Sequence, residues 1–211
     1  MKLVVIGAGG RTGRLVIERA VADGHRVTGV ARRPASVGLT DPELNIVRGD
    51  VLEPDSLVDP LAAADAVCYL VGVPGRSTSV TRSVGMANLT GAMVASGVRR
   101  VFAVSPTAID VSREAPLLRR ATVKFLIDKR NRNPFLEYER VEDEMRHGGV
   151  EWTAIRVARL TDAPATFRYR ARLGNHIRDE RPLSRADLAD YLLTHLGDES
   201  IRNAVVTVSG P

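Results

Sequence analysis

Lys2-Leu-Val-Val-Ile-Gly7-Ala-Gly9-Gly10-Arg11-Thr12-Gly13 decides the fold. An apolar strand runs into glycines at 7, 10 and 13, and Leu15-Val-Ile-Glu-Arg-Ala-Val21 follows with the spacing of an amphipathic helix. Glycine at such a strand-to-helix turn accepts positive φ and carries no Cβ. The backbone can therefore approach a pyrophosphate, while the helix start offers free N–H groups and the positive end of its dipole. A glycine triplet alone is a weak signal. Here a second strand, Arg26-Val-Thr-Gly-Val-Ala31, completes a βαβ unit of about 30 residues. The unit implies a dinucleotide seated on the turn.

Beyond this unit, strands are predicted at 44–48, 65–71, 99–105, 151–157 and 204–208, with helices between them. Val67-Cys-Tyr-Leu-Val71 and Val101-Phe-Ala-Val104 are continuously apolar rather than alternating, so both sheet faces should be covered. The expected architecture is α/β: one Rossmann-like, doubly wound parallel sheet with helices on both faces, in a single domain over residues 1–211. Right-handed crossovers then place the first strand centrally, with the cofactor crevice beside it. In the helix expected over 79–95, Val80, Val84, Ala87, Gly91 and Val94 share one face, and Met86, Leu89 and Met93 fall nearly opposite. One face must meet the sheet. The other packs on a neighbouring helix or on a second subunit, and the oligomeric state stays open.

The 211 residues are 44% hydrophobic and 26% charged, enough for a sizeable core. No apolar run approaches the roughly 18 residues needed to span a bilayer, and the N-terminus opens directly on a strand, so a cytoplasmic protein with no membrane partner is expected. The single cysteine, Cys68, lies in an apolar run and reads as core. A formal charge of +5 raises the question of nucleic acid. The arginines are dispersed, aromatics make up only 4% of the chain, and no helix-turn-helix or zinc pattern occurs, so no nucleic-acid partner is expected. The partner expected is a small-molecule substrate. His25, His147, His176 and His195 are scattered without ligand spacing, and no metal site is expected.

The cofactor is read at the end of the second strand, where a carboxylate suits the ribose 2′-OH of NAD and arginine the 2′-phosphate of NADP. Arg32-Arg33 stands there, and Arg11 in the turn is within reach of the same phosphate. NADP(H) is therefore expected in preference to NAD(H). Asp50 either accepts from the adenine amino group or caps the helix that follows near Glu53. Two loops at the carboxyl ends of strands, 73–78 and 106–116, are the expected walls of a substrate pocket, with 160–175 closing over them.

With these residues assembled, the chain resembles the atypical short-chain dehydrogenase/reductases, the NAD(P)H-binding group that includes biliverdin and flavin reductases and NmrA-like proteins. The likeness rests on Gly7–Gly13, Arg48-Gly-Asp-Val51, Arg100-Val-Phe-Ala-Val-Ser105, His147-Gly-Gly-Val-Glu-Trp-Thr-Ala-Ile-Arg156 and Leu183-Ser-Arg-Ala-Asp-Leu-Ala-Asp-Tyr-Leu192. It implies that Gly7, Gly9, Gly10, Arg11, Thr12 and Gly13 hold the pyrophosphate region, and that Arg32 and Arg33 take the 2′-phosphate. Asp50 and Val51 would meet the adenine, and Val71, Gly72, Val73 and Ser105 would line the path to the nicotinamide.

The resemblance breaks at the proton relay. The wider superfamily uses Tyr-x-x-x-Lys, in which lysine lowers the tyrosine pKa; this chain has Tyr138-Glu-Arg-Val-Glu142, and a carboxylate acts in the opposite direction. Phe135, Tyr138, Val141 and Met145 share one helical face, which favours Tyr138 as core. The candidate catalytic residues are Ser105, Thr107 and Tyr138. An NADPH-dependent oxidoreductase that passes hydride to a flavin, a quinone or a similar conjugated acceptor is the first reading. A non-catalytic NADP(H)-binding redox sensor is the alternative, and a sugar-nucleotide epimerase or dehydratase a third.

Overall fold

The computed structural model describes residues 1–72, 80–107, 132–174 and 177–211, with backbone alone at 132–135. The chain runs β1 (Lys2–Ile6), α1 (Arg11–Ala22), β2 (Arg26–Ala31), β3 (Leu44–Arg48), α2 (Asp55–Leu61), β4 (Ala66–Tyr69), α3 (Thr81–Ala95), β5 (Arg100–Pro106), α4 (Arg132–His147), β6 (Glu151–Val157), β7 (Leu160–Thr161), β8 (Arg170–Leu173), β9 (Leu183–Ser184), α5 (Arg185–Thr194) and β10 (Ala204–Ser209). The main sheet has the order β3-β2-β1-β4-β5-β6-β10-β8. Its first seven strands are parallel, and β8 closes one edge antiparallel to β10. The α/β doubly wound architecture is thus the one the apolar strands implied.

Successive residues of β1 show why two faces are needed. Leu3 and Val5 enter an apolar cluster with Val16, Ile17 and Ala20 of α1 and Leu188 and Leu192 of α5. Val4 and Ile6 enter a second cluster with Leu57, Met86, Leu89, Met93 and Met145 from α2, α3 and α4. A strand buried on both sides satisfies its backbone within the ladder and its side chains within two cores. Cys68 of β4 is fully buried, and desolvation pushes its thiol pKa up to about 12. It is inert as a nucleophile at neutral pH.

The β1–α1 junction is closely packed, backbone against backbone. Gly7 has φ +94, and a Cβ there would sit 2.7 Å from the Leu70 carbonyl oxygen. A Cβ on Gly13 would overlap the Gly7 carbonyl oxygen and lie 3.2 Å from the Ala8 Cα. The Gly7 and Ala8 N–H groups both donate to the Val30 carbonyl, each at 3.1 Å, and Gly10 N–H donates back to Gly7 at 3.0 Å. The turn is therefore held to β2 on one side and to the end of β4 on the other.

A buried ion pair ties α4 to β6. Arg156 donates through Nε to Glu142 Oε1 at 3.0 Å and through a terminal nitrogen to Oε2 at 2.6 Å, while Arg146 adds a contact of 3.1 Å. Both members of the pair are almost completely buried. The bidentate geometry satisfies the carboxylate, so either charge left alone would be costly.

Two expectations on packing change. Of the two apolar stripes expected over 79–95, Met86, Leu89 and Met93 form the buried one, whereas Val80, Val84 and Val94 are exposed and covered by no described helix. The segment expected to close over the pocket does so only at its start. Leu160 lines a cleft, but Thr166 and Phe167 turn outward, their N–H groups donating to the buried Asp187 carboxylate at 2.7 and 2.8 Å, and β8 then joins the sheet edge. Asp187 N–H in turn donates to Ser184 Oγ at 2.9 Å, which caps the start of α5.

Gly13→Ala is expected to cost about 1–3 kcal/mol, since a methyl forced against backbone must move α1 or β1. Urea unfolding checks this, with Gly91→Ala in α3 as the reference, since a Cβ there meets nothing within 4 Å and its φ is not positive. Glu142→Gln should cost about 3–5 kcal/mol by leaving Arg156 imperfectly paired, whereas Glu142→Leu combined with Arg156→Met should recover most of the loss.

Candidate functional site

At the carboxyl ends of β1, β2 and β4, where helix starts and strand ends leave a gap, lies a cleft of about 440 Å³. Gly7, Gly9, Gly10, Arg32, Arg33, Asp50, Val51, Val71 and Gly72 all line it. They come from four separate connections, brought together because parallel strands present the same end to one edge. The backbone at Gly9 is open, with nothing nearer to a built Cβ than Ser36 Oγ at 3.6 Å. Helix α1 begins at Gly10 without a side-chain cap and carries no acid in its first turn. Its first N–H groups and dipole therefore offer an uncompensated anion-binding end.

Arg32 and Arg33 are exposed at the cleft and form no ion pair among the described residues. The following turn is fixed independently of them: Ser36 Oγ donates to the Arg33 carbonyl at 2.7 Å, and Arg14 donates to the Ser36 carbonyl. Asp50 is half-buried. Its Oδ1 accepts from Leu52 N–H at 3.0 Å, so the carboxylate closes a local turn and does not cap α2, which begins at Asp55. Val51 is held from behind, where Asn88 Nδ2 donates to its carbonyl at 2.8 Å. A Cβ at Gly85 would lie 2.6 Å from the Val51 side chain, which is how α3 comes close enough to form this wall.

The other expected cofactor residues are placed differently. Gly13 is buried in the helix–strand contact, so its part is structural. Arg11 projects from α1 and pairs with Asp162 at 2.6 Å, away from the lining of the cleft. Val73 lies outside the described residues, as do the 73–78 loop and all of 106–116 beyond Pro106 and Thr107.

A second cleft of about 230 Å³ adjoins the first and shares Leu70, Val71 and Gly72 with it. Thr12, Tyr69, Arg82, Tyr138 and Arg185 supply its polar side chains. Tyr138 is half-buried at this cleft and not in the core. Val141 and Met145 take the core positions one and two turns further along the same face. The Arg82 guanidinium lies 4.6 Å above the Tyr138 ring. Glu142, at the position where the superfamily has lysine, is turned to Arg156 and belongs to the scaffold.

Tyr69 donates its hydroxyl to the Arg82 carbonyl at 2.8 Å, and burial raises its pKa well above the usual tyrosine value. Ser105 is buried in β5, lines neither cleft, and its Oγ has no hydrogen-bond partner among the described residues. Thr107 is buried and donates to Glu180 at 2.9 Å. Three of the histidines are peripheral: His25 beside the N-terminus, His147 with Nδ1 2.8 Å from the Asp143 carbonyl, and His195 stacked on Tyr191. His176 lies outside the described residues.

Arg82 and Arg185 at the second cleft, and Ser36 and Thr81 in the lining of the first, escaped the reading of the sequence. Arg82 was hidden in a helix read only for its apolar stripes, and Arg185 in a stretch read only for its family likeness. Arginine in the first turn of a helix is the signal that could have found both, since it opposes the dipole and calls for another reason to be there.

The fold recurs in solved structures. An NAD(P)-binding Rossmann-fold family protein from Shigella flexneri superposes with TM-score 0.77 at 22% identity, covering 100% of this chain and 93% of that one. The oxidoreductase ylbE from Lactococcus lactis gives 0.83 at 17% identity, covering 100% and 91%. A short-chain dehydrogenase/reductase of the wide type from Veillonella parvula, solved in complex with NADP, gives 0.80 at 17% identity, covering 100% and 94%. At such identities the likeness is one of fold. In sequence, the chain is 27% identical over 159 residues to uncharacterized proteins of Mycobacterium tuberculosis and Mycobacterium bovis, which covers 75% of this chain but only 15% of their length. A glycine turn packed on a parallel sheet, an uncapped helix start and a cleft between strand ends agree with the family match over residues 7–199: the chain belongs to the NAD(P)H-binding family.

Proposed function

We propose that the chain is an NADPH-dependent reductase that passes hydride to a small, flat, conjugated acceptor such as a flavin or quinone. The observation that carries the reading is the pair of adjoining clefts meeting at Leu70, Val71 and Gly72. The larger lies within the roughly 300–1,000 Å³ usual for ligand sites. Gly9, Gly10 and the start of α1 would hold the pyrophosphate, Arg32 and Arg33 the 2′-phosphate, and Asp50 with Val51 the adenine. Val71 and Gly72 then lead from the first cleft toward the second.

The bound dinucleotide supplies the hydride; the protein supplies position. Confinement of an acceptor between Tyr138, Leu160 and the Val71–Gly72 turn lowers the entropic part of the barrier. Conjugated acceptors spread the incoming charge and need little acid catalysis, which suits a site without a tyrosine–lysine pair. Tyr69 keeps its proton at neutral pH and is committed to a carbonyl, and Thr107 is committed to Glu180. Water is therefore the proton source in this reading.

A second reading, a redox sensor that binds NADP(H) without turnover, is favoured by one observation. Glu142, at the position where a proton relay would call for lysine, is locked in an ion pair with Arg156 and offers Tyr138 no cation from that position.

NADPH is expected to bind about tenfold or more tightly than NADH, in keeping with charge-assisted bonds to a phosphate. Replacing both Arg32 and Arg33 by Gln should bring the two affinities within about threefold, read by titration of nicotinamide fluorescence; equal affinities in the unaltered protein would defeat the assignment. Flavins, quinones and enones supplied as acceptors should include some that drive NADPH oxidation. Tight NADPH binding with no oxidation across that panel would favour the sensor over the reductase.

A further inference from the structure

The second cleft is basic. Arg82, in the first turn of α3, and Arg185, the first residue of α5, both line it, and none of its described lining residues is acidic. Arg185 is mostly buried, with its side chain 13% exposed, and one terminal nitrogen lies 2.6 Å from Asp162 Oδ1. The other oxygen of Asp162 meets Arg11 at 2.6 Å. Asp162 itself is 59% exposed and stands just beyond β7, whose Leu160 forms part of the cleft wall. A carboxylate belonging to the chain thus already rests between two guanidinium groups at the rim.

The asymmetry of this pair points to a use. A largely buried guanidinium has little water of its own and requires an anion, whereas an exposed carboxylate loses little by returning to solvent. An incoming carboxylate or phosphate can take the place of Asp162 on Arg185 and add the fork geometry that guanidinium favours. Arg82, lying on the Tyr138 ring, extends the same positive surface along the cleft beside a flat aromatic face.

We infer that the second cleft takes an acceptor bearing an anionic group, a carboxylate or phosphate joined to a flat conjugated ring. Arg185 holds the anion, and Asp162 is the internal carboxylate that it displaces. The inference rests on the reductase reading for the role of the ligand as an acceptor, but the anion site is testable without turnover.

The probes are two pairs that share a ring and differ in charge: riboflavin with riboflavin 5′-phosphate, and 1,4-naphthoquinone with its 2-sulfonate. Their binding is measured by equilibrium fluorescence and calorimetry on protein saturated with NADP+, so that the cofactor cleft is already filled. The anionic member should bind about tenfold more tightly in at least one pair, as expected for a charge-assisted contact. That ratio should fall below about threefold in Arg185→Gln, be kept in part in Arg185→Lys, which retains the charge but not the fork, and rise about threefold in Asp162→Asn, where the competing carboxylate is gone. No preference for the anionic member in either pair, or a preference untouched by Arg185→Gln, overturns the inference. Failure of the reductase reading looks different: the anionic preference and its dependence on Arg185 persist while NADPH oxidation is absent with every acceptor.

Discussion

The contact between Gly13 of α1 and the Gly7 carbonyl is the constraint on which the rest of the molecule depends. It brings the helix start so close to the strand end that no side chain fits between them. The uncapped first turn of α1 is thereby aimed along the carboxyl edge of the sheet, and the same approach presses Gly7 against Leu70 at the end of β4. The cleft floor is what remains open between these backbones. Its chemistry is that of peptide groups, and its specificity is added by side chains arriving from β2, β3 and α3.

Those side chains divide by charge in a way that the net value of +5 conceals. Some arginines are structural. Arg156 is buried against Glu142, and Arg100 lies 4.1 Å over Phe102, where burial lowers its pKa to about 10. Arg170 spans the C-terminal segment, donating to the carbonyls of Arg178, Asp179 and Gly210. Others, Arg32 and Arg33, face a cleft without a described partner. The basic balance therefore arises partly from scaffold and partly from two adjoining clefts.

The region after β6 shows how a small number of bonds redirect a chain. Asp187 sits in the first turn of α5, where a carboxylate complements the dipole, and it also collects the N–H groups of Thr166 and Phe167. Phe167 adopts φ +53 to make this turn. The chain is thus drawn over α5 and out to the sheet edge, leaving, among its described residues, Leu160 in the wall of the second cleft and Asp162 paired to Arg185 beside it.

The sequence by itself determined the parallel sheet, its seven strands and the position of the cofactor turn, because these follow from local patterns: continuous apolar runs, glycines at fixed spacing and helix periodicity. Nine of the cofactor residues named from it line one cleft, since strand ends fix where those connections emerge. Only the tertiary structure decided that Arg11 pairs with Asp162, that Glu142 serves Arg156, that Tyr138 stands at a cleft and not in the core, and that Arg82 and Arg185 converge. The physical reason is that periodicity reports which face of an element is buried but not which charge lies opposite. Partners separated by 151 positions, as Arg11 and Asp162 are, leave no mark on either local pattern.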